Sequence, residues 1–312
     1  HRDLHSFPTR RSSDLAGTSK SRDGYHFTES VSPERGGDAR LILHDREEIL
    51  LEKDNSNVEI SASGEIVINK EQIISAEASG QKKNVPLNEV IVPYGRKTQV
   101  LLADGTKVWL NAGSRLDFPI RFDQATREVS LEGEACFNVA KMENQPFIVK
   151  AGQLDVRVLG TYFDVIAYQA DKTIETILME GKVVVERKRT MGFPKDEIAM
   201  VPGQKASFNK ETKDITVSTE PNIAFAVGWT EGWFEISDDS RKSVFKKLER
   251  YYNIRIEIPH EFVSGELITG QLDLKDSLEA VLAALADVGK FGFRRDSHTI
   301  YVDRKTDKSG RE

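Results

Sequence analysis

The sequence predicts a mainly β protein, with a sheet or solenoid-like β domain followed by a small α+β domain that has two helices on one sheet. Two observations support this prediction. From about residue 40 to residue 219, short apolar runs alternate with polar residues and recur at a spacing of roughly eight to twelve residues, as in a sandwich or a barrel. After Pro221, two longer segments repeat their apolar residues with a period near 3.6, as amphipathic helices do.

The first forty residues precede the strand pattern. Residues 1–15 are polar, rich in Arg and Ser, and aperiodic, and they resemble a translated sequencing adaptor. Residues 16–39 are rich in Gly, Ser and charge, which is typical of a flexible segment. We therefore expect residues 1–39 to be a non-native leader and a flexible segment outside the fold.

The next segment, residues 40–88, is predicted to be a strand-rich extension. Its apolar runs are separated by turn residues such as Asp54-Asn55 and Ser63-Gly64. The runs are Leu41–Leu43, Ile49–Leu51, Val58–Ile60 and Glu65–Ile68.

Residues 89–220 have the densest strand pattern and are predicted to form one β domain. Asp104-Gly105 lies between two alternating runs, which predicts a tight hairpin with a type I′ turn. The alternation places Trp109, Phe137, Phe147 and Phe163 on the core side of their strands. The further predicted strands are Arg127–Leu131, Ala135–Ala140, Phe147–Lys150, Leu154–Leu159, Tyr162–Ala167, Thr173–Met179 and Lys182–Glu186.

Residues 221–305 are predicted to be the α+β domain, and residues 306–312 a tail. The first helix is predicted over Ser237–Tyr252, with Asn253 as its stop, and the second over Asp276–Val288, with Gly289 at the C′ position. The predicted strands of this domain include Ile254–Ile258, Leu267–Leu272, Phe291–Phe293 and Thr299–Val302.

Composition argues against several classes of function. The net charge of −6 gives no basic face for nucleic acid, so no nucleic-acid partner is expected. Cys136 is the single cysteine, which rules out an internal disulfide, and its alternating surroundings predict a buried, inert thiol. No run approaches the ~20 apolar residues of a membrane helix, and no signal-peptide pattern is present.

Residues suited to catalysis do not cluster in the sequence. None of the six histidines is spaced with Cys, Asp or Glu as in zinc sites or catalytic triads, and His260 and His298 are expected in solvated turns. Glu132 and Glu134 share one face of a predicted strand and are expected on its exterior. The sequence therefore predicts no enzyme, no cofactor and no metal.

Ordered blocks in the middle of the chain resemble the FecR family. They begin with Val92–Gly95, Leu102–Ser114 and Phe118-Pro119, and the residues after Gly228 resemble the small domain that often follows FecR in Bacteroidota-type proteins, which is similar to the short secretin/TonB N-terminal signalling fold. Two positions depart from the family pattern: Cys136, where an aromatic residue is common, and Asp164, where Asn is common. The later blocks are Arg127–Ala135, Pro146–Val149, Val158–Val165 and Glu180–Val183.

The resemblance implies the periplasmic region of a single-pass inner-membrane anti-sigma factor. Such a protein would receive a signal from the N-terminal signalling domain of a TonB-dependent transporter. It would act on an extracytoplasmic-function (ECF) sigma factor through a cytoplasmic segment, and would meet the membrane through a transmembrane helix. Nothing in this sequence matches that segment or that helix, so both are expected to be missing.

A partner-binding surface is predicted on the C-terminal domain, because short strands at a sheet edge can accept a partner strand. An alternative hypothesis is a carbohydrate- or ligand-binding β module, which would need an exposed aromatic platform at Trp109 or Trp233. The predicted partner-binding residues are Tyr251, Tyr252, Ile254, Ile256, Ile258, Leu267, Gly270 and Leu272.

Overall fold

The computed structural model describes residues 35–75, 86–188, 197–220, 223–259 and 267–304. The predicted leader, most of the flexible segment, residues 76–85 of the predicted strand-rich extension, Pro221, His260 and the tail at 306–312 lie outside the described residues. The mainly β fold class is confirmed, since strands make up most of the described elements and there are two α-helices.

Eighteen strands in the described part of residues 39–219 form the first domain. They make two sheets that share one long strand, β10 (Arg127–Asn138). The other strands are β1 (Ala39–Ile42), β2 (Glu48–Leu51), β3 (Asn55–Ile60), β4 (Glu65–Ile68), β5 (Gln72–Ser75), β6 (Leu87–Val92), β7 (Lys97–Leu101), β8 (Lys107–Leu110), β9 (Ser114–Pro119), β11 (Phe147–Ala151), β12 (Leu154–Val158), β13 (Tyr162–Ala167), β14 (Thr173–Glu180), β15 (Val183–Arg187), β16 (Glu197–Met200), β17 (Gln204–Asn209) and β18 (Ile215–Thr219).

The two sheets enclose one hydrophobic core, to which both the 40–88 and the 89–220 segments contribute. We call the sheets A and B. Sheet A runs β2-β1-β6-β9-β10-β11-β12-β15-β16, and sheet B runs β5-β4-β3-β7-β8-β10-β13-β14-β17-β18. Phe137, Phe147 and Phe163 lie fully buried in this core, as their alternation predicts.

Strand β10 passes from sheet A to sheet B at Gly133. Residues 127–131 pair with β11 in sheet A, whereas residues 133–138 pair with β13 in sheet B. Gly133 has φ +98, and a Cβ atom there would lie 2.6 Å from the Cα atom of Ser114. Only glycine combines this backbone angle with so close an approach.

The predicted hairpin at Asp104-Gly105 is present, but its turn is not type I′. Among the two central residues only Gly105 has positive φ, at +84, and the Leu102 N–H donates to the Thr106 carbonyl at 2.8 Å. This is a three-residue loop in which a glycine follows a type I turn. The Asp104 carboxylate accepts from the Thr106 N–H at 3.0 Å, which holds the aspartate at φ < 0.

The C-terminal domain follows the predicted order of strands and helices. A 3₁₀ segment (Ile223–Thr230) precedes it. The elements are β19 (Trp233–Asp239), α1 (Arg241–Tyr252), β20 (Arg255–Glu257), β21 (Ile268–Asp273), α2 (Leu278–Gly289), β22 (Phe291–Asp296) and β23 (Thr299–Arg304). The strands fall into two small sheets, β19-β21 and β20-β23-β22.

Both helices begin later than the sequence pattern indicates. Helix α1 begins after Ser240, whose Oγ accepts from the Ser243 N–H, because residues 237–239 continue strand β19. Asn253 ends it in the left-handed conformation, φ 50, as predicted.

Helix α2 begins after Ser277, and Lys290, rather than Gly289, takes the left-handed position at φ 50. Gly289 is required for another reason. A Cβ atom there would lie 2.9 Å from the Phe291 ring.

Candidate functional site at the domain seam

The C-terminal domain packs on the outer face of sheet B, and we call this contact the domain seam. Trp109 of β8, Cys136 of β10 and Tyr162 of β13 join the hydrophobic cluster of the C-terminal domain around Trp229. The prediction that Trp109 faces the sandwich core is therefore wrong. The residues around Trp109 do alternate, but this side chain lies on the outer face of sheet B, which the C-terminal domain covers.

Helix α1 is held to the sandwich by its basic side chains. The Arg250 Nη2 donates to Asp171 at 2.8 Å, and the Lys246 Nζ donates to the same carboxylate at 2.7 Å. The Arg250 guanidinium lies 3.5 Å from the centre of the Tyr168 ring. The Gly95 N–H donates to the Arg250 carbonyl at 2.8 Å, so that a turn of the sandwich is fixed to the helix backbone as well.

Lys97 of β7 is half-buried in the seam, and no carboxylate of the described residues lies within salt-bridge distance of it. Its ammonium donates to the Trp229 carbonyl and lies 4.7 Å from the centre of the Tyr251 ring. Burial lowers the pKa of Lys97 to about 8, and the charge of Glu134 opposes this shift. A cation in this position contributes through ring and carbonyl contacts, which strengthen when water is excluded.

Glu134 of β10 lies on the outer face of its strand as expected, but it is half-buried because the C-terminal domain covers that face. Its carboxylate accepts from the Asn111 side chain at 2.8 Å and from the Tyr168 hydroxyl at 3.3 Å. Burial raises the pKa of Glu134, while Asn111, Lys247 and Arg250 lower it. Alternation correctly places this residue on the outer face of its strand, but cannot show what covers that face.

A cleft of about 690 Å³ opens along one end of the seam. Both domains line it, and three tyrosines, two asparagines and charged groups of both signs contribute to its walls. This mixture is compatible with a polar ligand or with a segment of a partner protein. The main lining residues are Tyr94, Arg96, Lys97, Glu231, Tyr251, Tyr252, Asn253 and Lys275.

The structure separates the predicted partner-binding residues into three groups. Tyr251 and Tyr252 line the cleft, whereas Ile254, Ile256 and Leu272 are buried in the core of the C-terminal domain. Ile258 is half-buried, and Leu267 and Gly270 are exposed, with 60% of the Leu267 surface accessible. The exposed members of the set therefore lie at and beside β21.

Strand β20 pairs with β23 in parallel, and its opposite side has partners within the chain. The Ile256 N–H donates to the Glu249 carboxylate at 2.8 Å, and the Ile254 carbonyl accepts from the Arg35 side chain at 3.2 Å. Side-chain groups thus satisfy part of this edge, which is one way that proteins blunt an exposed strand.

The aromatic platform required by the ligand-binding hypothesis is not formed by Trp109 or Trp233. Trp109 packs in the seam, and Trp233 is half-buried against Gly228. His298 is exposed in the turn between β22 and β23, as expected.

No group of three or more His, Cys, Asp or Glu side chains in residues 35–75, 86–188, 197–220, 223–259 and 267–304 is arranged to hold a metal ion. Within the same ranges, no helix has the length and apolar character needed to span a bilayer.

The sequence did not reveal the residues that build the seam. Lys97, Asp171, Lys246 and Arg250 resemble ordinary surface charges in sequence, and Tyr168 follows a strand without a distinctive motif. The sequence offered one signal for this contact, the basic residues on one face of α1. Such charges normally face solvent or pair with acidic residues of the same helix.

Comparison with known proteins follows the same two domains. Residues 88–184 match the family model described as FecR protein, and residues 233–302 match that described as FecR, C-terminal. A crystal structure of a candidate anti-sigma factor from Parabacteroides distasonis ATCC 8503 at 1.65 Å is 34% identical, with a TM-score of 0.64. The match covers 69% of this chain and 98% of that chain.

A second crystal structure described in the same words, at 2.50 Å, is also 34% identical with a TM-score of 0.64, and the match covers 70% of this chain and 99% of that chain. Among proteins with curated descriptions, none matches. The ordered family blocks, the second matched domain and the similarity over nearly the whole length of these structures lead to one assignment: this chain belongs to the FecR family of anti-sigma factors.

Proposed function

We propose that this chain is the extracytoplasmic sensor part of an anti-sigma regulator. It would receive a signal in the periplasm from a TonB-dependent outer-membrane transporter and pass it to an ECF sigma factor by protein–protein binding, without catalysis. Contact with the sigma factor would use a cytoplasmic segment, and a transmembrane helix would attach the protein to the inner membrane. Residues 35–304 resemble neither of these two segments.

The observation that carries the proposal is the seam between the two FecR-family domains. The C-terminal domain is fixed to sheet B by a small set of charged and aromatic contacts around Arg250 and Lys97. A partner that binds the C-terminal domain differently in its docked and undocked states would shift the balance between these states. Such a shift needs no reactive group, which fits a signalling role.

The exposed part of the predicted partner surface gives the test. We expect the purified chain to bind the N-terminal signalling domain of its cognate TonB-dependent transporter, with a micromolar Kd in isothermal titration calorimetry. Leu267→Glu should weaken binding about tenfold or more, because it charges an exposed apolar residue next to β21.

Val288→Glu is the matched control. Val288 is 67% exposed in the same domain but lies on α2, and its substitution should leave the Kd unchanged. A Kd above one millimolar for the wild-type chain, or equal losses in the two variants, would contradict the proposal.

A second candidate function is ligand binding, and the cleft at the end of the seam favours it. Its three tyrosines offer apolar faces, and the amide and charged groups beside them offer the few polar contacts that orient a small ligand such as a saccharide. A glycan array probed with the intact chain tests this candidate. Hits that disappear in Tyr252→Ala would support it, and an array without hits would leave the protein-binding role.

A further inference from the structure

Asp164 is a buried carboxyl group in the middle of the domain seam. It lies on the outer face of sheet B, where β13 pairs with β10, and it is directly opposite Cys136. Its accessible surface is 0%, and neither of its carboxylate oxygens has a hydrogen bond of standard geometry among the described residues. A buried carboxylate without donors is costly, and the usual response is to remain protonated.

Asp164 and Cys136 form one cross-strand pair of β13 and β10, at a point on sheet B that the C-terminal domain covers.

Glu134, two residues from Cys136 on β10, takes the donors that the neighbourhood offers. Asn111 and Tyr168 donate to it, and Lys247 and Arg250 of α1 act on it electrostatically. For Asp164, the donor at hand is the indole N–H of Trp229, and this contact also falls short of standard hydrogen-bond geometry. Of the two neighbouring acids, Asp164 is therefore the one whose charged form has less support from donors and cations.

We propose that docking of the C-terminal domain on sheet B requires a proton on Asp164, so that acid favours the docked state and alkali favours its release. The buried position of Asp164 beneath Trp229, its lack of any donor other than that indole among the described residues, and the competing acid at Glu134 carry this inference. It does not depend on which partner the chain binds.

The direction in which docking depends on pH follows from the groups around Asp164. Burial raises the pKa of Asp164 well above its ordinary value of 3.8; Glu134 and Glu175 raise it further, and Trp229 lowers it. Cys136 on β10 and Tyr162, two residues before Asp164 on β13, also act on this acid, and the charges of Lys97 and Glu134 interact with each other. Undocking exposes the carboxyl to water, so the docked state binds more protons. Its advantage is complete below about pH 3.8 and is lost as the pH rises through the raised pKa.

Cys136 supplies a reporter in the native chain, since it is the single cysteine and is fully buried in the seam. The experiment measures the rate at which N-ethylmaleimide alkylates Cys136 between pH 5 and pH 8 in the wild type and in Asp164→Asn. Dividing the two rates removes the ordinary pH dependence of thiol reactivity. We expect this ratio to rise with pH by up to about tenfold per unit over part of the range, as one proton requires.

Asp155→Asn is the matched control. Asp155 lies on β12 of sheet A, outside the seam, and the wild-type rate divided by its rate should not change with pH. Amide hydrogen exchange in β10 and β13 should stay slow while Cys136 becomes reactive, which separates undocking from global unfolding.

A ratio of wild type to Asp164→Asn that stays constant within twofold from pH 5 to pH 8 would overturn the proposal. Should Asp164→Asn fail to fold, hydrogen exchange of α1 in the wild type, corrected for its intrinsic pH dependence, gives the same decision. Faster opening at higher pH supports the proposal, and opening that is independent of pH sinks it.

Discussion

Arg250 and Asp171 form an ion pair across the domain seam, with the guanidinium Nη2 2.8 Å from the carboxylate oxygen. Asp171 lies between β13 and β14 of the sandwich, whereas Arg250 is in the last turn of α1. The same carboxylate accepts from Lys246, one helical turn earlier. A single acid of the first domain therefore fixes both the position and the rotation of a helix in the second.

Asp171→Asn should loosen the docked state. Hydrogen bonds to charged groups contribute about 1.5–3 kcal/mol each, and the amide keeps one acceptor of reduced strength. We expect docking to weaken by about 1–3 kcal/mol, measured as faster hydrogen exchange in α1. Glu211→Gln removes the exposed pair with Lys172 near the same loop and should change little; equal effects would refute this account.

The contribution of Asp171 should also fade in acid. Burial raises the pKa of Asp171, but Arg250 and Lys246 lower it more, so that the net shift is below 3.8. Its stabilising effect is present above pH 3.8 and lost as the pH falls through the lowered pKa. The difference in α1 exchange between wild type and Asp171→Asn should therefore shrink below pH 3.8; a difference that persists unchanged at pH 2.5 would argue against it.

Gly133 and Gly203 make a matched pair for the crossing of β10 between the sheets. Both have positive φ, at +98 and +89, but a Cβ atom at Gly133 would clash with Ser114, whereas Gly203 has open space. Gly203→Ala should cost about 1 kcal/mol from backbone strain, and Gly133→Ala distinctly more. Urea unfolding measures both, and similar losses would show that the contact with Ser114 is unimportant.

Arg127 is a fully buried arginine at the start of β10. Its guanidinium pairs with Asp104 at 2.6 Å and donates to the carbonyls of Gln145 and Ala140, both at 2.9 Å. Arg127→Met leaves a buried carboxylate and these carbonyls without their donor, so we expect a loss of about 3–5 kcal/mol in unfolding free energy. Lys53→Met, at an exposed pair with Glu71, is the control and should stay within about 0.5 kcal/mol; a small loss at Arg127 would refute the ion-pair account.

Strand existence could be read from the sequence because alternation follows directly from strand geometry. It located the core positions Phe137, Phe147 and Phe163, and the helical period located α1 and α2. The seam could not be predicted in the same way. Trp109 and Glu134 occupy the outer face of sheet B, and only the packing of a second domain turns that face into an interior.

Asp117 of β9, in sheet A, is expected to show a pH response opposite to that of Asp171, because its contribution to stability is lost as the pH rises. It pairs with Arg115 at 2.7 Å. Burial raises the pKa of Asp117 to about 6; Arg115 opposes the rise, and Glu89 and Glu132 reinforce it. The folded state thus binds a proton more tightly than the unfolded chain, so the contribution of Asp117 is complete below pH 3.8 and lost as the pH rises through about 6.

The expected loss is on the order of 3 kcal/mol, from a pKa shift of about two units. Asp117→Asn should remove this part of the pH dependence, whatever its effect on stability at one pH. Urea unfolding at pH 4 and pH 7 measures it as the change in the wild-type minus variant free energy. Asp123→Asn is the control, at an exposed position four residues after the end of β9. It should leave the pH dependence of the unfolding free energy as it is in the wild type. If the unfolding free energy changed equally with pH in the wild type and in Asp117→Asn, another acid, such as Asp164 in the seam, would dominate the pH dependence of stability.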